Sequence, residues 1–333
     1  MIYQNVYLHN VRDVFEKDGG IRWRRMPKSV SDQIDERGQG LLCNSTGVEI
    51  RFVIEAPEAI LTVRALTDPA ALTNVRVFHG DIQAGWQSHE TEFQEGGICK
   101  IKIKRPDNIE KLKKIASGAG STWSPDVVRV IPNISFIFIR ADGVRPPTAD
   151  EMPKKALLCY GSSITHGSNA YTQLDTWAHF IAHGIGYDLF NLGMPGNCKM
   201  EHPFVSHLAS EPWDIAIAEL GINVLSWDRE TAYSRAFDTI SGLAKTGKPV
   251  IAISPFYCCD DINGGIKAAM WREVVSEVCR TLALPNVTYI SGTDLLGEAS
   301  LLSADLVHPS IYGIRQIGER LLPVLKKIAN ENK

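Results

Sequence analysis

Ala156-Leu157-Leu158-Cys159-Tyr160 runs directly into Gly161-Ser162-Ser163-Ile164-Thr165, and this stretch decides the fold. Five apolar residues closed by a glycine read as a buried strand. A serine just past the end of such a strand stands where a parallel α/β sheet opens its ligand crevice. Downstream the pattern repeats. Apolar runs at 187–191, 214–220, 249–254 and 287–290 alternate with helical periodicity near 173–184, 201–209, 229–246, 265–283 and 311–330. In the last of these, Ile311, Ile314, Ile317, Leu321, Leu322 and Leu325 recur at helical spacing. The alternation predicts a doubly wound, five-stranded parallel sheet with helices on both faces.

Upstream of residue 150 the character changes. Glu49–Glu55, Ile60–Ala65, Val75–His79, Cys99–Lys104, Val127–Ile131 and Ser135–Arg140 alternate with period two between turn residues, as in an antiparallel β-sandwich of jelly-roll type. Asn108–Ala116 reads as a short helix. Asp142-Gly143-Val144-Arg145-Pro146-Pro147 and the residues after it form a turn-rich connector. The expected organisation is an accessory β-sandwich domain over residues 1–145 and a catalytic domain over 154–330.

Composition narrows the function. The 333 residues are 44% hydrophobic and 22% charged with a net charge of −3, ordinary for a globular protein and without the basic excess of a nucleic-acid or anionic-membrane binder. Lys100, Lys102, Lys104 and Arg105 are locally basic, but Ile101 and Ile103 alternate with the lysines, the pattern of a strand with one solvated face. Met1–Leu8 lacks the features of a signal peptide, and no apolar run approaches the ~18 residues of a membrane span. Seven cysteines without metal-type spacing read as free thiols, and the expected location is cytoplasmic.

Four short blocks fall in loops after strands. Ser163 lies in the first. Asn191-Leu192-Gly193-Met194-Pro195-Gly196-Asn197 leaves the second strand, Glu219-Leu220-Gly221-Ile222-Asn223 ends the third, and Asp305-Leu306-Val307-His308-Pro309 precedes the last helix. Acyl transfer needs a nucleophile, a base with its orienting acid, and donors aimed at the developing oxyanion. A serine supplies the nucleophile, an imidazole takes its proton, and a carboxylate orients the imidazole. Gly196 lets a backbone N–H approach a substrate closely, Asn223 offers a side-chain amide, and Ser163 adds its own N–H.

These ordered blocks resemble the SGNH (GDSL-type) hydrolases over roughly residues 154–330. The resemblance implies a flavodoxin-like three-layer α/β/α fold and esterase or related acyl-transfer chemistry. It assigns Ser163 as nucleophile, His308 as base and Asp305 as its orienter. The oxyanion hole it implies is formed by Ser163, Gly196 and Asn223. With a β-sandwich in front, the chain is similar to two-domain bacterial members acting on acylated carbohydrates, and to acyltransferases acting on small molecules. Two positions depart from the family pattern. Ser162 stands where an aspartate usually precedes the nucleophile, and Val224 stands where a second acid usually follows the asparagine.

The expected activity is hydrolysis of short acyl esters, acetyl above all, on a carbohydrate, with acyl transfer to another acceptor as the alternative. His166, Trp227 and Tyr257 are candidate substrate contacts, each also readable as local packing, and Trp123 is the accessory domain's candidate aromatic. His179 and His183 sit four apart on a helix but lack an acidic partner between them, so no metal and no cofactor are expected. The expected partner is a small acyl ester, with no nucleic acid and no membrane, and a homo-oligomer is compatible with the sequence. A non-catalytic, phosphate-binding flavodoxin-like protein is the rival reading. It leaves Asn223 and the Asp305–His308 pair unexplained.

Overall fold

The computed structural model describes residues 1–66, 75–85 and 87–332. The chain divides into two compact units, Met1–Lys28 with Leu42–Lys154, and Ser29–Leu41 with Lys155–Lys333.

The described residues of the first unit build two antiparallel sheets. One runs Ile2–Tyr3, Val6–His9, Glu49–Ile54, Val127–Ile131, Arg76–His79, Ile82–Gln83, with Val144–Arg145 also paired to Glu49–Ile54. The other runs Asp13–Lys17, Gly20–Arg24, Phe136–Asp142, Glu58–Ala65, Ile98–Lys104, His89–Phe93. Alternation along the lysine-bearing strand explains its charge. Cys99, Ile101 and Ile103 are buried in the sandwich core with Phe52, Leu61 and Phe138, while Lys102 on the other face pairs with Glu92 of the neighbouring strand at 2.9 Å. The four strands before residue 25 escape the sequence reading, although Gly20–Arg24 does alternate, with Ile21 and Trp23 buried between Gly20, Arg22 and Arg24.

Trp123 is buried in this unit. Arg51 and Arg129 lie over its ring at 4.7 and 4.3 Å, and both guanidiniums bond the buried Glu49 carboxylate, at 2.8 and 2.7 Å. Burial alone would push Glu49 up, but the two arginines hold it well below the usual carboxylate range. The ring is therefore part of an internal ion cluster.

The second unit is a three-layer α/β/α domain. Its five parallel strands are β1 (Ala156–Gly161), β2 (Asp188–Gly193), β3 (Ile215–Glu219), β4 (Val250–Ile253) and β5 (Val287–Ile290), in the spatial order β2-β1-β3-β4-β5. The principal helices are α1 (Ser163–His166), α2 (Trp177–Ile185), α3 (His202–Ser210), α4 (Arg229–Ala244), α5 (Ile266–Leu282) and α6 (Ile311–Glu331). Leu157 and Cys159 of β1, Ile215 and Ile217 of β3, and Ile251 and Ile253 of β4 pack with Trp177 and Ile181 of α2 and Ile314, Ile317, Leu321 and Leu325 of α6. From the opposite face of β1, the Tyr160 ring meets Phe204 of α3 at 5.1 Å.

The expected helix over 173–184 begins later in the structure. Gln173–Asp175 forms a separate 3₁₀ turn, and Thr176 then caps α2 by accepting the His179 N–H at 3.1 Å. Ile217, fully buried in the sheet's interior, tests the packing. Ile217→Ala should cost about 2–5 kcal/mol, read as a lower urea midpoint of the transition that carries this unit's helical signal.

Candidate active site

Strand β1 delivers the turn that carries the candidate nucleophile, Ser163. Ser162 is extended, and its Oγ accepts the Ile164 N–H at 3.1 Å, which starts α1 at Ser163. Gly167, at φ +106°, stops the helix after one turn. Trp177 of α2 holds that turn from below, its indole N–H donating to the Ile164 carbonyl at 3.0 Å. Ser163 is held at the end of a buried strand and is itself only 6% exposed.

The segment before α6 brings the imidazole to it. His308 Nε2 lies 2.7 Å from Ser163 Oγ, and His308 Nδ1 lies 2.8 Å from Asp305 Oδ2. The other oxygen, Asp305 Oδ1, accepts the N–H groups of Val307 and His308, both at 2.9 Å, and the Ser303 hydroxyl at 2.8 Å. Desolvation works against the charge, but these donors together with the imidazole hold Asp305 well below the usual carboxylate range. The turn is strained, with Leu306 at φ +58°, a left-handed conformation that a leucine adopts at a cost. Capture of two successive N–H groups by one carboxylate oxygen keeps it so.

The second and third loops meet through the Cys198–Asn223 hydrogen bond. Met194-Pro195-Gly196-Asn197 closes a turn, the Asn197 N–H donating to the Met194 carbonyl at 3.0 Å with Gly196 at φ +63°. Proline second and a left-handed glycine third define a type II turn. The next amide, Cys198 N–H, donates to Asn223 Oδ1 at 3.0 Å. Because its carbonyl oxygen is occupied in this way, the Asn223 side chain is oriented and its NH₂ is the end left to donate elsewhere. Buried Trp271 holds the Asn223 turn from the far side, its indole N–H donating to the Val224 carbonyl at 3.0 Å.

Other candidates are placed differently. The imidazole that meets Ser163 is that of His308. His166 ends α1, with its backbone pressed against Gly193 of β2, where an added Cβ would lie 2.3 Å from the His166 nitrogen. Trp227 packs on Trp271 with ring centroids 6.3 Å apart, and Tyr257 packs half-buried against the α2–α6 core. The rings of His179 and His183 stack on one another at 6.3 Å. Among the described residues, no group of three or more His, Cys, Asp or Glu is placed to hold a metal. No described helix is long and apolar enough to cross a membrane.

Two features of this unit escape the sequence reading. Glu219, at the end of β3, is fully buried and bonds Ser162, the residue before Ser163. An acid closing the apolar run Ile215-Ala216-Ile217-Ala218 was the available signal. The second is Ser29–Leu41, which packs with this unit although the sandwich sequence surrounds it. Its Asp35 forms an ion pair with Lys199, and burial there is too slight to offset the lysine and the Gly38 N–H, which hold Asp35 below its usual range. Its Arg37 guanidinium lies against Gly196. No periodicity marks that attachment.

The GDSL-like lipase/acylhydrolase family model matches residues 154–326, more than half of the chain, and the chain belongs to that family. Solved structures with a similar fold include a salicylyl-acyltransferase from a tetracycline biosynthetic pathway, with TM-score 0.66 at 18% identity over 97% of this chain and 96% of that one. A carbohydrate esterase family 2 enzyme with its carbohydrate-binding domain, from Corynascus thermopiles (Myceliophthora fergusii), gives 0.54 at 14% identity over 86% and 94%. An active-site mutant of a family two carbohydrate esterase from Clostridium thermocellum gives 0.53 at 14% identity over 97% and 98%. A sequence search of curated proteins gives no match.

The Gly196 turn yields a test. A Cβ there would lie 2.5 Å from Arg37 Nη2 and would also have to adopt the left-handed backbone. The guanidinium is the mobile end of a long side chain and can move aside, so backbone strain sets the cost. Gly196→Ala should destabilise by about 1–2 kcal/mol, and adding Arg37→Ala should not restore the loss, as read from thermal melts of the single and double variants. Full restoration would place the cost in the side-chain contact instead.

Proposed function

We propose that the protein is a serine esterase that removes short acyl groups, acetyl foremost, from a carbohydrate. The observation that carries this reading is the continuous chain from Ser163 Oγ through the His308 imidazole to Asp305, with bonds of 2.7 and 2.8 Å. In this reading His308 Nε2 takes the serine proton as Oγ attacks the ester carbonyl, then returns it to the departing alcohol oxygen. A water activated by the same nitrogen releases the acid from the acyl-enzyme. Asp305 stays ionised and fixes the imidazole with Nδ1 protonated. The N–H groups of Ser163 and Gly196 and the Asn223 amide receive the oxyanion, the amide being pre-oriented by the Cys198 N–H.

The domain assignment belongs to the same proposal: residues 154–330 carry the chemistry, and the β-sandwich of 1–145 is an accessory domain. His166, Trp227 and Tyr257 are proposed to contact the sugar or the acyl chain. The carbohydrate esterase folds that match this chain over most of its length support the sugar ester as substrate class. The similarly extensive likeness to the salicylyl-acyltransferase favours one alternative, transfer of the acyl group to an acceptor alcohol at the same serine.

A panel of acetylated sugars, assayed with and without a competing alcohol, tests the reading and separates hydrolysis from transfer. Ser163→Ala and His308→Ala should each lower turnover by at least ~10³-fold and leave the melting temperature close to wild type, because triad members act as a unit. His166→Ala should retain much of the activity. If Ser162→Ala is inactive and Ser163→Ala is not, the nucleophile has been misassigned. Asn223→Ala should lower kcat ~10²–10³-fold with little change in KM, while a phosphonate probe still labels Ser163, more slowly. A kcat within a few-fold of wild type, accompanied by a lower melting temperature, would reduce Asn223 to a loop cap. Activity should also survive prolonged chelation; loss on chelation and recovery with zinc would overturn the serine mechanism.

A further inference from the structure

Behind the proposed nucleophile lies a second carboxylate that the triad does not use. Glu219 ends β3, beside β1 in the sheet, and is fully buried. Its Oε2 accepts three donors: the Ser162 N–H at 2.7 Å, the Ser162 hydroxyl at 2.7 Å and the Thr165 hydroxyl at 3.1 Å. Two of these come from the residue before Ser163 and the third from the residue two after it, so one oxygen ties both sides of the nucleophile turn. Its Oε1 is buried without a hydrogen-bond partner among the described residues. The backbone leaves it little freedom, since a Cβ on Gly161 would lie 2.7 Å from Oε2.

Resting on the serine-esterase reading, we propose that Glu219 is the positioning residue of the nucleophile: ionised, it anchors Ser162 and so aims Ser163 at His308, and its negative charge favours the imidazolium that forms when the serine proton moves. The geometry bears on the first of the two departures of the sequence, at position 162. Position 162 holds a hydroxyl where the family pattern has an acid, and position 224 holds a valine. The acid at this site comes instead from the end of β3, and the residue that replaced the usual aspartate is the hydroxyl that binds it. An ionised carboxylate is the natural acceptor of three converging donors, since a protonated one gives up part of its accepting capacity.

The groups facing Glu219 make its ionisation a matter of ordinary pH. Burial pushes its carboxyl up to about 7, against the Ser162 and Thr165 hydrogen bonds and the attraction of His308, which favour the charge. The Cys198 thiol, whose sulfur lies 3.7 Å from the Glu219 carbonyl, is itself pushed well up by burial and by the Glu219 charge, and stays neutral. Glu219 therefore loses its proton near neutrality while Asp305 is already ionised. A raised carboxyl binds its proton more tightly in the folded chain than in the unfolded one. Its contribution to stability is thus complete below about pH 4.5 and is lost as pH rises through about 7.

The test is the rate at which a phosphonate ester labels Ser163, followed from pH 5 to 9 in wild type, Glu219→Gln, Glu219→Asp and the double variant Ser162→Ala/Thr165→Val. Circular dichroism melts over the same range accompany it. Glu219→Gln should label at least tenfold more slowly at pH 8, with its acid limb displaced to lower pH because the charge that favours the imidazolium is gone. The double variant removes donors to the ionised carboxylate, so its acid limb should move the opposite way, to higher pH. Glu219→Asp should recover part of the rate and return the limb toward wild type. In the melts, the fall in wild-type stability between pH 4.5 and 7 should be shallower in Glu219→Gln. Limbs that coincide in all four proteins would leave Glu219 a purely structural group and overturn the proposal, and the double variant decides the matter if Glu219→Gln fails to fold. Wild type that takes no label at Ser163 would overturn the esterase reading and this proposal with it. Labelled wild type with an indifferent Glu219 overturns this proposal alone.

Discussion

A doubly wound sheet must change the face on which its helices pack, and where it does so the ends of two neighbouring strands are left uncovered. Here the change falls between β1 and β3: the helix after β1 packs on one face and the helix before β3 on the other. Everything chemically distinctive in the second unit depends on that opening. Ser163 follows β1, Asn223 follows β3, and the Gly196 turn follows β2 on the other side of β1. Of the proposed triad and oxyanion residues, His308 and Asp305 arrive from outside this strand cluster. They do so on a turn braced by Asp305 Oδ1 and by the bridge between Leu302 and Pro309.

The loops at this edge are held by buried aromatic donors as well as by the sheet. Trp177 and Trp271 are both completely buried, and each spends its single indole N–H on a carbonyl one residue past a proposed functional side chain, Ile164 after Ser163 and Val224 after Asn223. A loop carbonyl at a sheet edge would ordinarily bond water. Bonding it to a rigid core ring transfers the stiffness of the core to the loop, which is what a preformed acyl-transfer site requires. This also accounts for Trp227. It lies against Trp271, so the aromatic that reads in sequence as a pocket wall takes part in the same buttress.

How much of this was legible in sequence follows from which signals are local. Buried parallel strands are short apolar runs and amphipathic helices repeat every three or four residues, so the five strands and the long helices of the second unit stood out, with α6 the plainest. Ser163, Gly196, Asn223, Asp305 and His308 could be proposed from sequence because each falls after a strand or before a helix that those patterns locate. Attachments made by side chains across long sequence distances were not legible. Asp35 finds Lys199, and Arg37 reaches Gly196, through contacts that no periodicity encodes, so Ser29–Leu41 read as part of the sandwich. Trp123 stood out only as the accessory domain's candidate aromatic, because its two arginines arrive from other strands.

Glu219 lies between these cases. Its position was visible as an acid at the end of an apolar strand, yet its partner was hidden, because Ser162 read only as a lost aspartate. Taken together, the two residues describe one contact. An acid on the nucleophile turn would sit against the end of β3, and two buried carboxylates in contact there would repel each other and both resist ionisation. With Glu219 already in place, a hydroxyl at 162 is the residue that fits, donating through Oγ to the carboxylate and accepting through the same oxygen from Ile164. The hydroxyl at 162 and the acid at 219 are thus parts of one physical arrangement: a single carboxylate beneath the turn that carries Ser163, with the Ser162 N–H and the Ser162 and Thr165 hydroxyls converging on it.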